Sequence, residues 1–121
     1  MREFRWPELS GFNWVSDYFD AYAAGNARPA LVIADDAGSV ATSLSFAELA
    51  ERSRRVTRFL ARLGVGRGDR VLVMLSNVAP LWETLLGAAR LGAVVIPATT
   101  QLTASDVADR LERGAVRCAV V

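Results

Sequence analysis

The side chains in this sequence that could do chemistry are few. They are the thiol of Cys118, the carboxylates of Asp35 and Asp36, those of Asp106, Asp109 and Glu112, and the hydroxyls of Ser43, Ser45, Ser53 and Ser76. A serine or cysteine nucleophile needs a neighbouring base to activate it. The chain has no histidine, which removes the commonest such base and the commonest metal ligand. All fourteen basic residues are arginine, so no lysine is present to steady nucleotide phosphates. Asp35 and Asp36 open the run Asp-Asp-Ala-Gly-Ser, where turn propensity explains them. Asp106, Asp109 and Glu112 recur along one short helical stretch, which they cap or solvate. Cys118 lies in an apolar run and reads as a buried, inert thiol; alone, it makes neither an internal disulfide nor a metal cluster. Taken from its residues, the chain is a scaffold without a catalytic constellation.

The scaffold is sized for one domain or a piece of a larger one, at 121 residues. With 52% apolar and 22% charged residues, it belongs with folded proteins and not with disordered ones. A net charge of +1 supplies no strongly basic face, so nucleic acid is not an expected partner. No apolar stretch reaches the ~20 residues of a membrane span. The first residues, with Glu3 and Glu8 among scattered apolar ones, lack a signal-peptide core. The cytoplasm is the expected compartment.

The elements follow from spacing. Residues 1–11 read as irregular, broken by Pro7 and Gly11. Asn13 is placed as the N-cap of a helix over 14–24, with Val15, Tyr18 or Phe19, and Tyr22 at helical spacing, and Gly25 as its stop. Residues 30–33 and 40–44 read as two strands of an antiparallel hairpin around the Asp35–Ser39 turn. Ser45-Phe46-Ala47-Glu48 is a capping box, with Leu44 and Leu49 at the staple positions. The helix it opens carries Phe46, Leu49, Ser53, Val56, Leu60 and Leu63 on one stripe, widened by Phe59, and Arg54, Arg58 and Arg62 on a solvated face. Glu48–Arg52 and Glu51–Arg55 stand as acid-before-base pairs. Gly64 is its left-handed C-cap.

Gly64-Val65-Gly66-Arg67-Gly68 follows a helix and opens a strand, the reverse of a dinucleotide glycine loop. Arg67-Gly68-Asp69 matches a cell-adhesion tripeptide by chance, and its reading is structural: Asp69 and Arg70 tie the loop to nearby backbone. Val71–Leu75 reads as a buried strand. A helix then runs from Pro80 to Leu91 with Ala79 at the cap, apolar nearly all round and so buried on more than one side. A second buried strand spans Ala93–Ile96. Parallel strands need a crossover of this length, so the stretch is a β-α-β unit. After the polar loop 98–102, Thr103 and Asp106 form a second capping box, the helix stops at Gly114, and 116–121 reads as a last strand. The fold class is α/β: an N-terminal β-hairpin followed by a β-α-β-α-β parallel unit.

The sequence Gly68-Asp69-Arg70-Val71, the Asn and Pro that open the apolar helix, and Gly92-Ala93-Val94-Val95-Ile96-Pro97 together resemble the N-terminal region of AMP-forming acyl-CoA synthetases. Phe12-Asn13-Trp14, Ala98–Thr103, Ser105-Asp106 and Arg110-Leu111 are most similar to the medium-chain acyl-CoA synthetases. The resemblance runs over nearly the whole chain but covers only the front of that family. It implies that residues 1–121 are an incomplete N-terminal subdomain of the larger adenylate-forming domain, with the catalytic motifs and C-terminal domain lying further on. The parent would join a medium-chain fatty or aromatic acid to ATP with Mg²⁺, then transfer the acyl group to CoA. This chain alone would bind no cofactor and be inert, with the remainder of the synthetase as its partner. The family's pattern implies one site residue, Gln101 in the Thr-Gln-Leu loop, as a CoA contact; the alternative is that Gln101 hydrogen-bonds its own loop. A reading from another class makes the chain a free-standing interaction module that self-associates through exposed apolar surface.

Overall fold

The computed structural model describes residues 10–121; Pro7 and the acidic residues of the first stretch lie outside it. Helix α1 opens as a π-helical turn, Trp14–Phe19, and continues as Asp20–Ala23. The Asn13 side chain accepts from the Val15 and Ser16 amides at 3.0 and 3.2 Å, as an N-cap should. A π turn winds wider than an α turn, so residues four apart stay on one line. Val15, Phe19 and Ala23 are accordingly the buried set, and Tyr18 and Tyr22 stand exposed.

Strands β1, Pro29–Ala34, and β2, Val40–Ser45, pair antiparallel with Leu31 opposite Leu44. Asp35 makes the turn between them: its Oδ1 accepts from the Ala37 and Ser39 amides at 3.0 and 2.8 Å. Helix α2, Phe46–Arg62, starts at the Ser45–Glu48 capping box. It ends in a Schellman motif, with the Val65 amide donating to Leu60 O and the Gly64 amide to Ala61 O. That motif returns Val65 to the core beside Leu60, at 4% and 0% exposure.

The same geometry corrects two core assignments. Phe59 and Leu63 are 59% and 53% exposed. Phe59 lies about 100° around the helix from Leu60, and Val65, returned by the turn, takes the core position expected of Leu63. Ala50, absent from the expected stripe, is buried instead.

Strand β3, Arg70–Val73, is the centre of a parallel sheet in the order β4-β3-β5, with β4 at Val94–Pro97 and β5 at Val116–Val120. Its Val71, Leu72 and Val73 are at most 1% exposed, as befits a parallel strand covered on both faces. Helix α3, Ala79–Arg90, makes the β3–β4 crossover, and α4, Ala104–Arg113, the next one. The cap of α3 is Val78, one residue before the expected Ala79, and it makes no side-chain cap bond. Helix α3 lies against α2 through Gly87, where an added Cβ would come within 2.9 Å of Val56 Cγ1 and 3.1 Å of Ser53 O. Only one long side of α3 is fully covered, since Trp82 is 41% exposed.

At the end of α4 the left-handed residue is Ala115, with φ 43, and not Gly114. Gly114 is required by crowding: a Cβ there would sit 2.7 Å from Arg110 O and 2.8 Å from Ile96 Cδ1.

Two core clusters result, Val15, Phe19, Ala23, Leu44, Leu49 and Ala50 under the hairpin, and Leu60, Val65, Val71, Val73 and Ala88 under the sheet. Helix α2 serves both, so its start matters to both. The Ser45 amide, then its hydroxyl, hold the Glu48 carboxyl below its ordinary 4.5. The Thr103 hydroxyl, then its amide, do the same for Asp106 below 3.8. A carboxylate with a depressed folded-state pKa contributes stability that is complete above the ordinary value and is lost as pH falls through the folded one. Ser45→Ala is therefore expected to cost about 1 kcal/mol near neutral pH, the usual worth of an N-cap. The gap between the two proteins should narrow below pH 4.5, which urea titrations at pH 7 and pH 3.5 will read; a gap constant across that range contradicts the capping account.

Candidate functional site

Open α/β sheets place ligands beyond the carboxyl ends of their strands. Here that edge carries two loops, one after β3 and one after β4. The loop after β4 is held at its root by Ala98 N donating to Val73 O at 2.9 Å. Beyond it Thr99, Thr100 and Gln101 are exposed. The Gln101 amide donates to Thr99 Oγ1 at 3.3 Å, so its backbone is tied to its own loop, and among the described residues its side chain makes no hydrogen bond. The loop closes at Thr103, whose hydroxyl donates to Asp106 Oδ2 at 2.6 Å, and this carboxylate occupies the N-terminus of α4. On the neighbouring loop Asn77 Oδ1 accepts from Trp82 Nε1 at 3.2 Å.

The other candidate side chains are dispersed. Asp35 builds the hairpin turn, Ser45 caps α2, and Asp109 pairs with Arg113 at 2.9 Å. Cys118 is half-buried against the second core cluster. Asp69 Oδ2 accepts from the Gly66 amide at 2.8 Å and faces Arg117 Nε at 3.5 Å. Arg70 donates to the carbonyls of Gly68, Gly114 and Ala115 at 3.1, 3.0 and 2.8 Å. Asp69 and Arg70 thus tie the loop around the Arg67–Asp69 tripeptide to nearby backbone, as expected of them. Among the described residues no three Cys, Asp or Glu side chains gather in a way that could hold a metal ion.

What the structure does assemble is a polar knot that sequence reasoning missed. Arg90 donates to both oxygens of Asp20, Nε to Oδ2 at 3.1 Å and Nη2 to Oδ1 at 2.8 Å. The same guanidinium reaches Thr57 Oγ1 at 2.8 Å and Ser53 Oγ at 3.0 Å, and Arg54 approaches Asp20 at 3.5 Å. Helices α1, α2 and α3 meet at this one cation. The signal available was Arg90 itself, the one cation in a helix otherwise almost wholly apolar.

Beside the knot lies an apolar groove of about 410 Å³ between α1, the start of α2, α3 and Ala30 of β1, walled by Trp14, Phe19, Phe46, Trp82, Leu85 and Leu86. Trp14 and Trp82 are 51% and 41% exposed at its rim. It is the exposed apolar surface expected from an all-round apolar α3.

Residues 19–121 match the sequence profile of the family described as AMP-binding enzyme. The chain belongs to that family. Within it, the chain is 36% identical over 116 residues to the rat mitochondrial acyl-coenzyme A synthetase ACSM2, covering 90% of this chain and 20% of that protein. Among solved structures it superposes on an acyl-CoA synthetase from Brucella canis with a TM-score of 0.81 and 30% identity, over 91% of this chain and 20% of the other. A benzoate CoA ligase from Burkholderia xenovorans gives a TM-score of 0.73 at 29% identity, over 89% of this chain and 21% of the other. The chain therefore spans about a fifth of the length of the relatives it matches. This AMP-binding family member presents its hairpin and parallel sheet in the α/β arrangement expected of it. No helix among its described residues is long and apolar enough to cross a membrane.

Proposed function

We propose that residues 1–121 form the N-terminal flank of the adenylating domain of an AMP-forming acyl-CoA synthetase and act as its scaffold. The observation that carries this reading is the pairing of full overlap with empty chemistry. The superposition on the Brucella canis synthetase takes in 91% of this chain, yet Asp35, Ser45, Asp106 and Asp109 are spent on a turn, two caps and an ion pair, and no histidine is present to activate a nucleophile. The reaction of the whole synthetase would activate a carboxylic acid with ATP, releasing pyrophosphate, and pass the acyl group from AMP to the thiol of CoA. A medium-chain fatty or aromatic acid is the proposed substrate class, supported by similarity to the benzoate ligase.

This chain's own residues do not fit ATP or Mg²⁺. It has no lysine for the phosphates, and its described carboxylates form no metal cluster. No step involving either is therefore assigned to it. Its part is to hold the strand ends in register and to present the loop after β4. For CoA the fit is better, because the Gln101 side chain points from an exposed loop and is not consumed by a protein hydrogen bond. We assign Gln101 a CoA contact in the whole enzyme. Gln101→Ala in the synthetase that carries this chain is expected to raise KM for CoA several-fold, the loss of about 1 kcal/mol typical of one hydrogen bond, with KM for ATP and the acid unchanged. An unchanged CoA KM removes the contact.

A further inference from the structure

The C-terminal half of α2 has an outward face that none of the roles above uses. Phe59 and Leu63, one helical turn apart, are 59% and 53% exposed. Arg55, Arg58 and Arg62 flank them on the same outward side of the helix. Arg117 joins them at the helix end, where its Nε donates to Gly64 O at 2.9 Å. The acids facing this group are Glu51, which lies 3.3 Å from Arg55 and 3.7 Å from Arg58, and Asp69, 3.5 Å from Arg117. Four cations against two acids leave a net excess of two, and Arg62 has no carboxylate partner among the described residues.

We propose that this face of α2 docks on an anionic lipid surface, with Phe59 and Leu63 entering the headgroup boundary and the arginines on the lipid phosphates. The two protruding apolar tips ringed by long basic side chains are what an interfacial helix presents to a membrane. Shape argues for lipid over a protein segment. Arg55 edges a concavity shared with Glu48, Glu51 and Glu83, but Phe59, Leu63, Arg58 and Arg62 line neither that one nor the two others described, so the apolar tips stand clear of a groove that a peptide could fill, while a deformable plane needs none.

The test is sedimentation of the 121-residue protein with vesicles of phosphatidylcholine alone or with 30 mol% phosphatidylserine, at low salt. Binding is expected to be at least ten-fold tighter on the anionic vesicles and to weaken as salt screens it. Arg58→Glu with Arg62→Glu should abolish the preference, and Phe59→Ser with Leu63→Ser should weaken binding about ten-fold; all four sites are exposed, so the variants should fold. Arg28→Glu, just ahead of β1 and beside the opposite end of α2, should change little. Equal binding to both vesicle types, or an equal loss in the Arg28 variant, overturns the proposal. So does capture of soluble polyglutamate without vesicle binding, which would assign the face to an acidic protein.

Discussion

Replacing Arg90 by methionine is expected to destabilise the fold by about 3 kcal/mol, the lower end of the range for breaking a buried ion pair. The magnitude follows from what the substitution leaves behind. Arg90 and Asp20 are 12% and 18% exposed at the side chain, so the pair is mostly desolvated and cannot be treated as a surface bridge worth a few tenths. Without Arg90, the Asp20 carboxylate keeps only the longer approach of Arg54 at 3.5 Å. Ser53 and Thr57 fare better, because their hydroxyls still donate to Ala50 O and Ser53 O at 2.8 and 2.9 Å. The loss therefore falls on Asp20. A domain of this size has roughly 5–15 kcal/mol in all, and the shift should lower Tm by roughly 10 °C.

Removing both partners should hurt less than removing one. In Asp20→Leu with Arg90→Met the stranded charge is gone, and apolar side chains of similar size fill the junction of α1, α2 and α3. Urea midpoints for wild type, the two single variants and the double variant measure the coupling. A loss under 1 kcal/mol in Arg90→Met, or a double variant as unstable as the sum of the singles, would mean that the knot is not what clamps the three helices.

Most of the framework was legible because it is written locally. The two capping boxes at Ser45–Glu48 and Thr103–Asp106 fix helix starts within four residues, and Gly64 fixes the end of α2 through a bond from Val65 to Leu60 that spans five. The hairpin turn is made by Asp35 on amides two and four residues away. What was missed is set at longer range. Asp20 and Arg90 lie seventy residues apart, and only the packing of α1 against α3 reveals that they meet. The exposure of Phe59 and Leu63 is likewise a packing outcome, since periodicity places both near the apolar stripe and the return of Val65 decides against Leu63. At Gly114 a glycine read as a helix stop proves to be demanded by the approach of Ile96, a neighbour from another element. The site followed the same division: the loop bearing Gln101 could be placed at a strand end, while its open side chain is a fact of the fold.

Under the proposed function these residues position an adenylating centre without containing it. The most direct measurement is pyrophosphate release by the purified 121-residue protein given ATP, Mg²⁺ and either octanoate or benzoate. The chain has no histidine or lysine, and its described carboxylates form no metal-holding group, so the proposed scaffold lacks the positioned groups that supply most of the acceleration in such a transfer. The expected result is release indistinguishable from a protein-free control for both acids. Acid-dependent turnover above that background, lost when the protein is unfolded in urea, would contradict the claim.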